Sequence, residues 1–139
     1  MSERIKSYRD LRVWQEAVAL AVLVYELTEA FPKSEQYGLA TQMRRAAVSV
    51  ASNIAENFGR SAKEFGRFLE MALGSLAELE TQSEIALRVT YLSEERNHPL
   101  ADKMNSLGRQ LNVLRQTVTG SKPLPNNQRL NDQRPATSD

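Results

Sequence analysis

The stretch SAKEFGRFLEMALGSLAELETQSEIALRVT, residues 61–90, decides the fold because it carries both a helix start signal and a long apolar repeat. Ser61 and Glu64 match the capping box, in which each side chain satisfies a backbone N–H group of the first turn. Steps of three and four residues then place apolar and small side chains on one helix face. These positions are Phe65, Phe68, Leu69, Ala72, Leu76, Leu79, Ser83 and Ala86. The stretch predicts a long amphipathic helix that ends near Thr90.

Gly74 lies in the middle of this predicted helix. A glycine in a helix interior costs ~1 kcal/mol relative to alanine. The simplest explanation for a glycine at this place is the close approach of another backbone.

Three further segments show the same period, at about residues 11–31, 35–57 and 97–119. Asp10 is predicted to cap the first of these helices, because its carboxylate can accept hydrogen bonds from free backbone N–H groups. Gly59 and Gly120 are predicted to end the second and the last, since glycine readily takes the left-handed conformation of a C-cap.

Pro99 interrupts the beginning of the fourth helix. A helix that begins near Asn97 places the proline in the first turn, where its missing N–H group is tolerated. A short turn from Ser93 before the helix is the alternative. The start near Asn97 is the preferred prediction.

Four amphipathic helices with short connections predict an all-α fold, an antiparallel up-down-up-down four-helix bundle. The predicted organisation is an N-terminal arm at residues 1–9, the bundle at 10–120 and a disordered, flexible tail at 121–139. The tail has three prolines and no aromatic residue, so it cannot form a packed core. The predicted core comprises Trp14, Val18, Leu39, Met43, Val50, Ile54, Phe65, Phe68, Leu76, Leu79, Leu107, Leu111 and Leu114.

The first helix is apolar over much of its circumference, because Leu20, Leu23 and Leu27 widen its apolar face. A helix of a four-helix bundle needs only one apolar stripe. The surplus apolar surface predicts self-association.

The composition excludes several classes of chemistry. The chain has no cysteine and one histidine, so disulfides, thiol catalysis and sites with two histidines are excluded. Glu95 and His98 have the E-x-x-H spacing of di-iron bundles, but the second such motif is missing, and His98 is interpreted as a solvated loop residue. No glycine-rich phosphate loop occurs. We therefore expect a protein that is not an enzyme and has no cofactor.

No apolar run is long enough to span a membrane, so no membrane partner is expected. The first ten residues lack the apolar core of a signal peptide, which predicts a cytoplasmic protein. The net charge of +1 creates no overall basic field that would demand a nucleic-acid partner.

Acidic residues accumulate on the third helix, and two of them are one turn apart on one face. Paired carboxylates can act as general acids and bases or bind a hard cation. A structural role is the preferred interpretation, either as a solvated face or as partners of arginines on another helix, for which Arg44 and Arg45 of the second helix are natural candidates. The acidic cluster consists of Glu70, Glu78, Glu80 and Glu84.

Basic residues suggest a nucleic-acid interface, because the sequence from residue 103 to 131 has five cations and no acid. A cationic stripe can contact phosphates, although surface lysines and arginines often do no more than solvate a fold. The candidate nucleic-acid-binding residues are Arg44, Arg45, Lys103, Arg109 and Arg115.

Several strings resemble the small four-helix proteins named for the intervening sequences of bacterial 23S ribosomal RNA genes. The resemblance covers roughly residues 8–119. Two positions depart from the family pattern, Ala51 where proline is usual and Asn57 where glycine is usual. The matching strings are YRDLRVWQEA (8–17), YGLATQMRRAAVSVASNIAE (37–56), FGR (58–60), KEFGRFLEMALGSLAELETQ (63–82) and ALRVTYLSEE (86–95).

The resemblance implies a ring-like homopentamer and kinship with the accessory protein of diversity-generating retroelements, which binds nucleic acid and a reverse transcriptase. It implies no catalytic residues. Together, the residues and the resemblance favour a non-catalytic homo-oligomer that binds structured RNA or DNA through repeated basic surfaces. A scaffold that binds another protein is the alternative.

Overall fold

The structure is a computed structural model, and it describes residues 5–120. Four α-helices make up most of this part, and no strand occurs within it. The predicted tail at residues 121–139 and the first four residues of the predicted arm lie outside the described residues. The helices are α1 (Arg12–Thr28), α2 (Leu39–Asn57), α3 (Ala62–Arg88) and α4 (Glu94–Thr119), with short 3-10 turns at Tyr8–Asp10 and Lys33–Glu35.

Each helix packs against the next one along the chain, and α4 closes the bundle against α1. The up-down-up-down prediction is therefore confirmed. Eight residues of the predicted core are buried, and the other five are half-buried. The buried ones are Met43, Val50, Ile54, Phe65, Leu76, Leu79, Leu107 and Leu111; the half-buried ones are Trp14, Val18, Leu39, Phe68 and Leu114.

The buried face of α1 differs from the predicted one. Its core residues alternate steps of four and three through residues 13, 17, 20, 24 and 27. Trp14 and Val18 each follow a residue of this stripe by one position. Both therefore lie at the side of the buried face and are half-buried. Since α1 is apolar on both faces, the period alone could not choose which of the two is turned inward.

The first helix starts one residue later than predicted, because Asp10 belongs to a separate turn. The Asp10 carboxylate accepts hydrogen bonds from the backbone N–H groups of Lys6 and Ser7, at 2.8 and 3.2 Å. These bonds stabilise the charged form and hold the pKa of Asp10 below its ordinary value. Asp10 and Ser7 thus form the capping box of the turn Tyr8–Asp10.

Two other helix starts were predicted wrongly. α4 begins at Glu94, where Ser93 accepts a hydrogen bond from the backbone N–H of residue 96 at 3.1 Å, so Pro99 lies inside the helix. α2 begins at Leu39, because residues 33–35 form a 3-10 turn. Glu35 caps α2 by accepting a hydrogen bond from the Leu39 N–H at 3.1 Å.

Candidate interaction surfaces

An apolar groove of about 530 Å³ runs between α1 and α2. Three of its residues are large and exposed, namely Val22 (53%), Tyr25 (49%) and Val48 (42%). A surface of this composition, along two adjacent helices, is typical of an interaction site. We call it the α1–α2 groove; its walls include Trp14, Val18, Val22 and Tyr25 of α1 and Val48 and Ala51 of α2.

Cations hold the aromatic rings of the groove in place. The Arg9 guanidinium lies 5.3 Å from the centre of the Trp14 ring, and Tyr8 meets the same ring edge to face at 5.2 Å. The Arg44 guanidinium lies 5.2 Å from the centre of the Tyr25 ring. Cation–π contacts of this kind favour one ring position. The groove is therefore formed before any partner arrives.

Arg44, a predicted nucleic-acid contact, is half-buried and bonded within the chain. It donates to the Thr28 hydroxyl at 2.9 Å and to the Gln36 side-chain carbonyl at 3.2 Å. These bonds tie the end of α1 to the beginning of α2. Within residues 5–120, no ion pair joins Arg44 to the acidic cluster, and its side chain bonds to these uncharged acceptors instead.

Arg115 is the clearest correction, since only 2% of the residue is exposed. Its guanidinium lies 3.5 Å from the Glu70 carboxylate and donates to the Asn112 side-chain carbonyl at 3.3 and 3.4 Å. Arg115 follows the buried Leu111 by four residues, so it continues the core stripe of α4. It holds α4 against α3 and is not available to a phosphate.

The remaining candidates do not gather on one surface. Arg45 is exposed on α2, and Lys103 and Arg109 are partly or fully exposed on α4, the helix diagonal to α2. None of the three makes an ion pair within residues 5–120.

Lys63 and Arg67 are two cations that were not predicted from the sequence as candidates. They lie one turn apart near the beginning of α3. Both are exposed, and both line a cleft of about 430 Å³ between α3 and the end of α4. The i, i+4 spacing of the two cations was the signal that could have found them.

The acidic cluster is divided among different partners. Glu70 pairs with Arg115, and Glu84 pairs with Arg88 at 2.8 Å on its own helix. Glu78 lines a cleft between α2 and α3 together with Arg45. No group of three or more potential metal ligands occurs in the described part of the chain.

His98 lies within α4 and not in a loop as predicted. Its side chain is 74% exposed, and Nδ1 is 3.4 Å from the Asp102 carboxylate one turn further along. Glu95, the other residue of the E-x-x-H spacing, is exposed as well. The pair faces solvent at the beginning of α4 and not the interior of the bundle, where di-iron sites are built.

The profile of a family described as 23S rRNA-intervening sequence protein matches residues 9–113. The chain belongs to this family. The match covers α1, α2 and α3 and most of α4, so both walls of the α1–α2 groove lie within it.

One solved structure similar to this chain comes from Bacteroides thetaiotaomicron VPI-5482 and is described as a protein of unknown function from the S23 ribosomal protein family. The TM-score is 0.66 at 21% sequence identity, and the alignment covers 73% of this chain and 96% of that chain. At this identity the likeness shows the shared fold alone. No curated protein matches the chain. Within residues 5–120, no helix is long and apolar enough to cross a membrane.

Proposed function

We propose that this member of the 23S rRNA-intervening sequence protein family is a non-catalytic bundle that assembles with copies of itself through the α1–α2 groove. The observation that supports this proposal is the groove itself, an apolar surface with preformed walls. Burying such a surface against a partner removes apolar area from water and favours association. The resemblance of the sequence to homopentameric proteins favours a second copy as the occupant.

The α1–α2 groove can be tested with a charge on its exposed wall. Val22→Glu places a carboxylate in the groove at a position that is 53% exposed, so the bundle itself should tolerate it. Light scattering should give the unaltered protein a mass several times 15.7 kDa and the variant the mass of one chain.

Val113→Glu is the matched control, because Val113 is 59% exposed and does not line the groove. It should keep the mass of the unaltered protein. A monomeric unaltered protein, or a Val22→Glu variant that assembles like Val113→Glu, would overturn the proposal. A monomeric protein that captures a different protein through the groove would support the scaffold alternative.

Binding of structured RNA or DNA is the second function that we propose for the assembly. It is supported by five cations that project from the bundle, each without an ion pair in the described residues. Assembly multiplies every such group, which raises avidity without new kinds of contact. Titration with a folded RNA and with duplex DNA, at low and at raised salt, tests this proposal. The five cations are Arg45, Lys63, Arg67, Lys103 and Arg109.

A further inference from the structure

Gly74 has no explanation within its own chain. It is exposed in the middle of α3, and a Cβ atom added to it would meet nothing within 4 Å. The buried helix glycines differ, because a Cβ at Gly66 would collide with Thr119 and one at Gly108 would lie 3.4 Å from Leu76. Glycine weakens a helix relative to every residue except proline. The close approach predicted for Gly74 is therefore not made by any described residue of the same chain.

Exposed apolar side chains accompany Gly74 along α3. Met71, Ile85 and Val89 are exposed to 49%, 46% and 47%. Their spacing places them on the same side of the helix as Gly74, opposite the buried face. We call these four residues the α3 stripe. Glu78 also lies on this side of α3, where it lines the cleft towards α2 that contains Arg45.

We propose that the α3 stripe of one copy occupies the α1–α2 groove of the next copy. This inference rests on the self-assembly proposed above and names the surface that fills the groove. Both surfaces carry exposed apolar side chains, and their lengths are similar. At about 1.5 Å per helical residue, Met71 to Val89 spans roughly 27 Å and Trp14 to Glu29 roughly 22 Å, so the two lengths agree to within about one helical turn.

The proposed contact gives a physical role to Gly74 and to the charged residues beside the two surfaces. Gly74 lets the α3 backbone approach the groove walls more closely than any side chain would allow. The stripe is flanked by Arg67 and by Arg88, which pairs with Glu84 of its own helix, whereas Glu26 and Glu29 lie at the rim of the groove. Opposite charges at the rim of an apolar contact favour one register over others.

The two surfaces are different parts of one chain, so their contact is heterologous. Each copy that fills a neighbour's groove still presents its own groove to a third copy. Contacts of this type produce a closed ring when the rotation closes and a filament when it does not. A groove-to-groove contact would instead stop at a dimer.

Gly74→Gln tests the stripe without endangering the fold. Glutamine is a better helix former than glycine, and the site has space for it, so the helix content should not fall. The side chain should nevertheless block close approach and raise the dissociation constant of the assembly by about tenfold or more, as expected when one well-packed interface position is disrupted. Thr117→Gln, at an exposed position of α4, is the matched control and should assemble like the unaltered protein.

A mixture of two variants distinguishes this contact from others. Val22→Glu keeps its stripe and Gly74→Gln keeps its groove, so the mixture should form a 1:1 dimer and nothing larger. If Gly74→Gln alone assembles normally while Val22→Glu does not, the groove is used but the stripe does not fill it, and this inference is wrong. If Val22→Glu itself assembles normally, the proposed self-assembly through the groove fails as well.

Discussion

Arg115 carries a permanent charge at a position where the neighbouring elements leave it almost no contact with water. Its partner Glu70 is different, since 49% of that side chain remains exposed. The pair therefore places one desolvated charge beside one that stays solvated. Removal of the arginine leaves a carboxylate that water can still reach, so the effect should be smaller than for a fully buried pair.

Arg115→Gln should lower the free energy of unfolding by about 1–3 kcal/mol, because it removes charge-assisted hydrogen bonds to Glu70 and Asn112 and part of the packing. Arg109→Gln, on the exposed side of the same helix, should change it by less than ~0.5 kcal/mol. Urea unfolding followed by circular dichroism measures both. Equal stabilities for the two variants would mean that the buried position of Arg115 is of no consequence.

Gly66 of α3 faces Thr119 of α4, near the end of the bundle that holds both chain termini of the described part. A Cβ atom at position 66 would collide with Thr119 Cγ2. Gly66→Ala should therefore destabilise the bundle by about 1–3 kcal/mol through overpacking, although alanine is the better helix former. Thermal and urea unfolding provide the measurement.

The double variant supplies the control for this contact. Thr119→Ser removes the colliding methyl group and keeps the hydroxyl that donates to the Arg115 carbonyl at 2.8 Å. In the Thr119→Ser background, Gly66→Ala should cost less, with a coupling free energy of about 0.5–3 kcal/mol. Additive effects would show that α3 and α4 do not depend on this contact.

The number and order of the helices were predictable from the sequence, and so was most of the core in α2, α3 and α4, because each of these helices has one dominant apolar face. The helix starts were less predictable. Ser93 and Pro99 both allow a first turn, and the start that Ser93 caps is the one that forms, with Leu92 and Leu100 buried in the core.

The candidate site was predicted only in part. The surplus apolar surface of α1 was visible in the sequence, but its position on the Trp14 side was not, since both faces of this helix are apolar. Arg115 was predicted wrongly for a related reason. The helical period allows two adjacent buried stripes on α4, one through Leu114 and one through Arg115. The contact with α3 buries the stripe that contains Arg115.

On the scale of the whole molecule, charge is divided between the two ends of the bundle. Residues 5–20, 49–75 and 107–120 form the half where α1 and α3 begin, with eight lysines and arginines against five acids. Residues 21–48 and 76–106 form the other half, with six against nine. The net charge of +1 for the chain conceals this separation.

The separation matters for an assembly of aligned copies. α1 and α3 run in the same direction, so packing of the α3 stripe along the neighbouring α1–α2 groove with the bundles aligned places all basic ends on one face. Each copy then adds its cations to a single surface, where several phosphates of one folded nucleic acid can be contacted together. The candidates predicted from the sequence include Arg45 and Lys103 of the acidic half, which would contribute less.

Neutralising Lys63 and Arg109 together should weaken binding to structured RNA and to duplex DNA and flatten its dependence on salt. The logarithm of the affinity should fall less steeply with the logarithm of the salt concentration, by about 1 for each phosphate that is no longer neutralised. Both residues lie in the basic half, and neither lines the groove or belongs to the α3 stripe, so the mass of the assembly should not change. Fluorescence anisotropy at several salt concentrations gives the slope.

The matched control is Lys33→Gln with Arg96→Gln, which removes two exposed cations from the acidic half and should leave the slope unchanged. The monomeric Val22→Glu variant should bind far more weakly than the assembly at the same concentration of chains, since a single basic end offers few phosphate contacts. If both double variants weakened nucleic-acid binding equally, the result would contradict binding through a single basic face. It would indicate nonspecific attraction to the whole surface. Binding that does not respond to salt would contradict phosphate contact altogether, and the groove would then remain as the surface through which this protein acts.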